Sequence, residues 1–174
     1  MRMLSIFEPG ELVMEDMPRP TLTPGHAIVE IEKCGICGSD VTVYSGKNPT
    51  MKYPVHGLGH EGVGTIVEIG ENEEGFKVGD RVALEPYVPD FSCHMCKVGR
   101  FNNCADLHVC GVHKDGMMTE YFSHPIKLLY KLPDTLNFQR AALVEPLTIG
   151  LHGATRARVS KGDHVVVFGA GTIG

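Results

Sequence analysis

The chain has 174 residues, 43% of them hydrophobic and 21% charged, with a formal net charge of −5. This is ordinary globular composition, enough for one well-packed domain or one domain plus a fragment. The acidic balance gives no electrostatic reason to expect nucleic acid or an anionic membrane as partner. No run approaches the roughly 18 apolar residues of a membrane helix. The N-terminus reaches Glu8 and Pro9 too early for a signal peptide, so the cytoplasm is the expected compartment. Six cysteines could form three disulfides in a secreted protein. Without an export signal, cysteines two residues apart read better as metal or redox sites.

In chain order, the first two thirds read as short strands broken by glycine and proline, a compact β domain rich in turns. Ala27 to Glu32 alternates partly. Cys34 and Cys37 form a C-x-x-C that could be thioredoxin-like only if it opened a helix after a strand. The neighbouring Gly35 and Gly38 speak against a helix, so Cys34 and Cys110 are expected to be small buried hydrophobes. Val63, Thr65, Val67 and Ile69 fall on one side of a period-two segment that Gly70 ends. Lys77 to Ala83 reads as a turn feeding another strand. The texture changes near Pro133: Asn137 is placed to cap a helix through Leu143, and Pro146 to open a second helix reaching about Arg158. His164 to Phe168 then reads as a buried-type strand running into Gly169-Ala170-Gly171-Thr172-Ile173-Gly174. That is a G-x-G-x-x-G turn after an apolar strand, the context in which it cradles a dinucleotide pyrophosphate.

Chemistry concentrates in Cys37-Gly38-Ser39-Asp40 and Gly59-His60-Glu61-Gly62-Val63-Gly64. A thiolate, an imidazole and a carboxylate are ligand types that catalytic zinc accepts, with a fourth position left for water or substrate. The surrounding glycines imply crowded backbone or unusual dihedrals. His60 taken alone could equally be a hydrogen-bonded core histidine, and Asp40 a solvated turn residue.

These segments, a later cysteine cluster and the terminal glycine turn, in this order, resemble the zinc-dependent medium-chain dehydrogenases, the family of alcohol, sorbitol and threonine dehydrogenases. The resemblance implies a mainly β GroES-like catalytic domain with a few helices over residues 1–158. The first strand and glycine turn of an α/β Rossmann domain would follow over 159–174. It implies Cys37, His60 and Glu61 as ligands of a catalytic zinc, with Glu145 binding directly or through water. Glu145 could otherwise be a helix-terminal charge. Asp40 would accept the ring N–H of His60 and fix its tautomer, and Ser39 would pass a substrate proton outward. Thr42 stands where ethanol-type relatives continue that relay with histidine, and Tyr44 either lines the substrate pocket or packs. Gly169, Gly171 and Gly174 would bind NAD, preferred over NADP on the resemblance alone.

Many relatives hold a structural zinc on four cysteines spaced C-x2-C-x2-C-x7-C. Here Asp90, Cys93, Cys96 and Cys104 keep the spacing with aspartate first, and zinc accepts an aspartate oxygen. His94 is an alternative fourth ligand, and a lobe without metal is the other possibility. The resemblance implies oxidation of a secondary alcohol (a polyol, sugar acid or hydroxy amino acid) with hydride passed to NAD. The partner would be a small-molecule alcohol, and the enzyme a homo-dimer or tetramer. A zinc-binding GroES-like module without catalysis, or a redox-sensing zinc protein, are the competing readings. The chain stops within its fingerprint, so it is expected to be truncated, and these residues alone are not expected to bind NAD.

Overall fold

The structure is a computed structural model and describes residues 1–49 and 51–174. A hairpin of β1 (Arg2–Ile6) and β2 (Leu12–Asp16) opens the chain. The main sheet has five strands, β3 (His26–Gly35), β4 (Glu61–Ile69), β5 (Arg81–Leu84), β8 (Tyr121–Pro125) and β9 (Leu129–Lys131), in the order β8-β3-β4-β5-β9. Every neighbouring pair in it is antiparallel. A two-stranded ribbon, β6 (Tyr87–Val88) with β7 (His108–Val109), stands beside it. The four α-helices among the described residues are short or peripheral: α1 (Gly38–Tyr44), α2 (His94–Lys97), α3 (Phe138–Ala141) and α4 (Val144–Arg156). The mainly β domain with a few helices agrees with the expectation from sequence.

Apolar side chains on both sides of the sheet are covered. Ala27, Val29, Ile66, Val82, Met117 and Phe122 belong to one cluster, and Val63, Ala83, Leu132, Ala141 and Ala142 to another. A third cluster, including Ile6, Val43, Val55 and Leu58, ties the hairpin and α1 to the segment that leads into β4. Each large side chain removed from water contributes about 1.5–3 kcal/mol, so the helices dock by burial rather than by intrinsic propensity.

The expected one-sided alternation of Val63, Thr65, Val67 and Ile69 does not hold. Val29 pairs with Ile66 while Ile28 pairs with Glu68, so Val67 is an extra residue at a bulge. Ile66, not Val67, is fully buried. One extra residue reverses which side chains face the core, and a sheet covered on both faces leaves no polar side to reveal the change.

Asn137 caps α3, accepting the Arg140 N–H at 2.9 Å, and α3 ends at Ala141 rather than running on to Leu143. Arg81 fixes this corner: its guanidinium donates to the carbonyls of Pro133, Asp134 and Leu136 and lies 4.3 Å over the Phe138 ring. The next helix, α4, begins at Val144, two residues before Pro146. Proline is tolerated throughout the first turn because those N–H groups have no partner inside the helix.

His164 to Phe168 forms no strand among the described residues, and Phe168 is 96% exposed. A parallel-type strand gains its hydrogen bonds and its burial from neighbouring strands, and none pairs with this segment here.

Candidate metal centres

The last residues of β3 and the first of β4 pair across the sheet, Gly35 opposite Glu61 and Cys34 opposite Gly62. Beyond Gly35 the chain turns into α1, with Cys37 as its N-cap. A C-x-x-C that opens a helix is therefore present, against the expectation from Gly35 and Gly38. Cys34, however, is set back on the strand, where burial pushes its thiol up to about 12. A thiol held that strongly protonated is a poor nucleophile, which argues against thioredoxin-like exchange. Cys110 is likewise buried, its thiol raised to about 11 by the same cause.

Cys37, His60 and Glu61 each offer a ligand atom, and all three atoms lie within 4.8 Å of one another. The glycines make the room. A Cβ on Gly35 would sit 2.0 Å from Glu61 Oε2, so only glycine lets the carboxylate fold across the strand. Gly59 has φ +88° immediately before His60, and a Cβ there would meet Cys34 Sγ at 2.9 Å. Burial raises the Glu61 carboxyl above its usual range, and His60 opposes that shift. Sulfur, nitrogen and oxygen donors converging in a half-buried site form a set that suits zinc, so the residues present fit the ion.

Asp40 is buried, but it does not hydrogen-bond His60. Its Oδ2 accepts the Cys37 N–H at 2.8 Å, bracing the start of α1, while Oδ1 lies 3.8 Å from His60 Nδ1. That imidazole nitrogen is buried without a hydrogen-bond partner among the described residues. Ser39 is exposed on α1, and the Thr42 hydroxyl turns back to donate to Gly38 O at 2.9 Å. Tyr44 is 38% exposed at the end of α1.

Glu145 stands outside the three-residue group but faces the same space. It lines a 380 Å³ cleft with Glu61, Glu85, Tyr87 and Tyr130. Burial raises its carboxyl, His60 lowers it, and Glu61 and Glu85 raise it further. Glu85 was not singled out by the sequence, although an acidic residue directly after the apolar run Val82-Ala83-Leu84 is a signal. Its carboxyl is also raised by burial, and one oxygen accepts the Tyr87 N–H at 3.3 Å.

Asp90, Cys93, Cys96 and Cys104 form the second group with ligand atoms within 4.8 Å. The Cys93 sulfur lies 3.6 Å from that of Cys96 and 3.9 Å from that of Cys104. A tetrahedron with zinc–sulfur arms of 2.3 Å has edges of about 3.8 Å, so the thiols already stand at ligating separation. Asp90 Oδ1 accepts the N–H groups of Ser92 at 2.7 Å and Cys93 at 2.9 Å. Those two donors, Cys93 first, hold the carboxyl well below the usual carboxylate range. Phe91 makes the tight turn possible by adopting φ +54°, a left-handed conformation unusual for a residue other than glycine. His94 is exposed at the start of α2 and is not part of the group.

Residues 23–134 match the alcohol dehydrogenase GroES-like domain. The chain belongs to that family, and through it to the zinc-dependent medium-chain dehydrogenases. It is 43% identical over 172 residues to an uncharacterized zinc-type alcohol dehydrogenase-like protein of Haemophilus influenzae, covering 98% of this chain and 50% of that one. It is 38% identical to sorbitol dehydrogenase of Ovis aries, with coverage of 98% and 49%. The structure of galactitol-1-phosphate dehydrogenase from Escherichia coli superposes with a TM-score of 0.91 at 31% identity, covering 99% of this chain and 50% of that one. The chain thus spans about half the length of the relatives it matches.

Proposed function

We propose that these residues are the metal-binding, substrate-facing part of a zinc-dependent dehydrogenase that oxidises a secondary alcohol of the polyol, sugar-acid or hydroxy-amino-acid class, with NAD as hydride acceptor. Cys37, His60 and Glu61 would hold the catalytic ion, with Glu145 beside it. Asp90, Cys93, Cys96 and Cys104 would hold a structural one. When bound, the catalytic zinc supplies a Lewis acid that makes a substrate hydroxyl more acidic. Ser39 offers an exposed hydroxyl two residues from Cys37, placed to hand a proton from its Oγ to solvent. Asp40 braces the turn that carries Cys37 and Ser39. The cleft of Glu61, Glu85, Glu145 and the two tyrosines offers hydrogen-bond acceptors to a polyhydroxylated substrate.

Residues 1–158 would form the catalytic domain and 159–174 the opening of an NAD-binding domain, with Gly169, Gly171 and Gly174 at the pyrophosphate turn. With Val165 to Phe168 exposed and unpaired, no sheet holds that turn in place. These 174 residues by themselves are therefore expected to bind NAD too weakly to measure. The dehydrogenase names of the relatives favour catalysis over a zinc-binding module alone.

The observation that carries this reading is the convergence of Cys37, His60 and Glu61 from two strand ends into one half-buried donor set. Metal analysis tests it: the zinc-loaded chain should hold two ions, and Cys37→Ser should leave one. An unchanged metal content in Cys37→Ser would overturn the catalytic-site assignment.

A further inference from the structure

A groove runs between the segment before β4 and the turn after β7, beside the cysteine lobe. The 440 Å³ groove is lined by Lys52, His56, His108, His113, Lys114 and Asp115, among other residues. A neighbouring 350 Å³ hollow shares His108, His113 and Lys114 with it and is also lined by Asp90 and Asp106. Two lysines and three of the chain's nine histidines line the groove together with Asp115, in a protein whose net charge is −5.

The histidines are held in place. His56 Nδ1 contacts Glu15 Oε2 at 2.7 Å, and Glu15 is kept low as a carboxylate by hydrogen bonds from Ser5 and His56. Ser5 is fully buried, so this network anchors His56 to the hairpin, and with Nδ1–H given to the carboxylate the neutral ring keeps Nε2 as an acceptor. On the opposite wall the turn after β7 closes through the Val112 and His113 N–H groups, both donating to Val109 O. The Val109 N–H in turn donates to His113 Nδ1 at 3.1 Å. A ring that accepts at Nδ1 carries its proton on Nε2, so His113 presents a donor. His108 meets His113 edge to face with centroids 6.1 Å apart.

A metal ion is the wrong occupant. Among the described residues, no three ligand atoms of this groove come within 4.8 Å of one another. Lysine ammonium groups are donors without a lone pair. Ammonium groups together with an imidazole N–H donor suit a compact oxyanion instead. We propose that this groove binds an anionic oxygen group, phosphate or carboxylate, through Lys52, Lys114 and the imidazole of His113. The proposal is independent of the zinc and dehydrogenase reading, because none of these residues belongs to either metal group.

The test is a titration of the chain followed by the NMR signals of its histidine rings, at constant ionic strength. Inorganic phosphate, gluconate and uncharged sorbitol are the three probes. Phosphate should move the rings of His56, His108 and His113 and leave His124, sealed in the core, where it was. Sorbitol should move none of them. Lys52→Ala combined with Lys114→Ala, both exposed, should weaken phosphate binding about tenfold. Gluconate binding tenfold more tightly than phosphate assigns the anion to a polyhydroxylated acid, whereas equal affinity assigns it to a free anion. Unmoved groove rings, or a double variant that binds phosphate as tightly as the parent, would overturn the proposal.

Discussion

The two candidate metal centres are built in opposite ways. Asp90, Cys93, Cys96 and Cys104 belong to one excursion of the chain, and local turns bring them together: the Asp90 carboxylate caps two N–H groups, and α2 starts on Cys93. Cys37, His60 and Glu61 come from the ends of two paired strands and a helix start, and only the sheet makes them neighbours. The first site is a property of its loop, the second of the whole domain. A local site should fail alone. A site assembled by tertiary structure should fail whenever its supports move.

The largest effect is expected from Cys93→Ser. Structural zinc contributes on the order of 10 kcal/mol to small metal-folded units. Loss of one thiolate should release the lobe's ion and unfold the segment around α2 and Phe101, while the other centre keeps its zinc. Metal content should fall from two ions to one, and cobalt substituted for zinc should lose the thiolate charge-transfer band of the lobe alone. Loss of both ions would show that the centres are coupled.

Gly35→Ala is the complementary change. The new methyl would overlap Glu61 Oε2, displacing the carboxylate or the strand end at a cost of about 1–3 kcal/mol. The lobe should stay loaded while the centre at Cys37, His60 and Glu61 loses zinc affinity, read by competition with a chelator. Parent affinity at the centre of Cys37, His60 and Glu61 would mean that the close approach of Gly35 is not needed.

Glu145→Ala should separate activity from metal content. In an enzyme carrying this chain, turnover should fall about 10–100-fold, the usual cost of removing a group that supports a metal site. Both zinc ions should remain. Parent turnover would reduce Glu145 to a charge at the start of α4.

The smallest effect concerns the sheet that brings Cys37, His60 and Glu61 together. Asp80, in the turn before β5, receives Lys131 Nζ from β9 at 2.8 Å, and that bond holds its carboxyl below the usual value. A depressed folded pKa contributes stability above the unfolded value near 4, and that contribution is lost as pH falls through the folded pKa. Asp80→Asn should therefore cost about 1 kcal/mol at neutral pH and almost nothing at the acid end. Acid unfolding followed by circular dichroism should show the parent and variant curves converging at low pH.

The local chemistry was open to sequence reading because short-range geometry determines it. The x2 and x7 spacings marked the lobe through the family resemblance, Asn137 marked the start of α3, and the glycines about His60 marked crowded backbone. Near neighbours in the chain supply the partners in each case. Where partners are distant, the sequence was silent or misleading. The bulge at Val67 reversed a face that alternation had assigned, because register belongs to the pair of strands rather than to either one. Gly38 argued against a helix, but α1 forms because Asp40 caps it and Val43 docks in the cluster with Ile6 and Val55. Glu85 and the groove of His56 and His113 gave little warning, since cavities arise between segments that the chain order keeps apart. The sequence by itself determined the ligand types, their local spacing and the β-rich character of the domain, all of which depend on residues within a turn or two. Only the tertiary structure decided which carboxylates face the same cleft, that Asp40 holds Cys37 rather than His60, and where the groove of Lys52, His113 and Lys114 lies. Those outcomes depend on long-range burial and strand register, which no window along the chain contains.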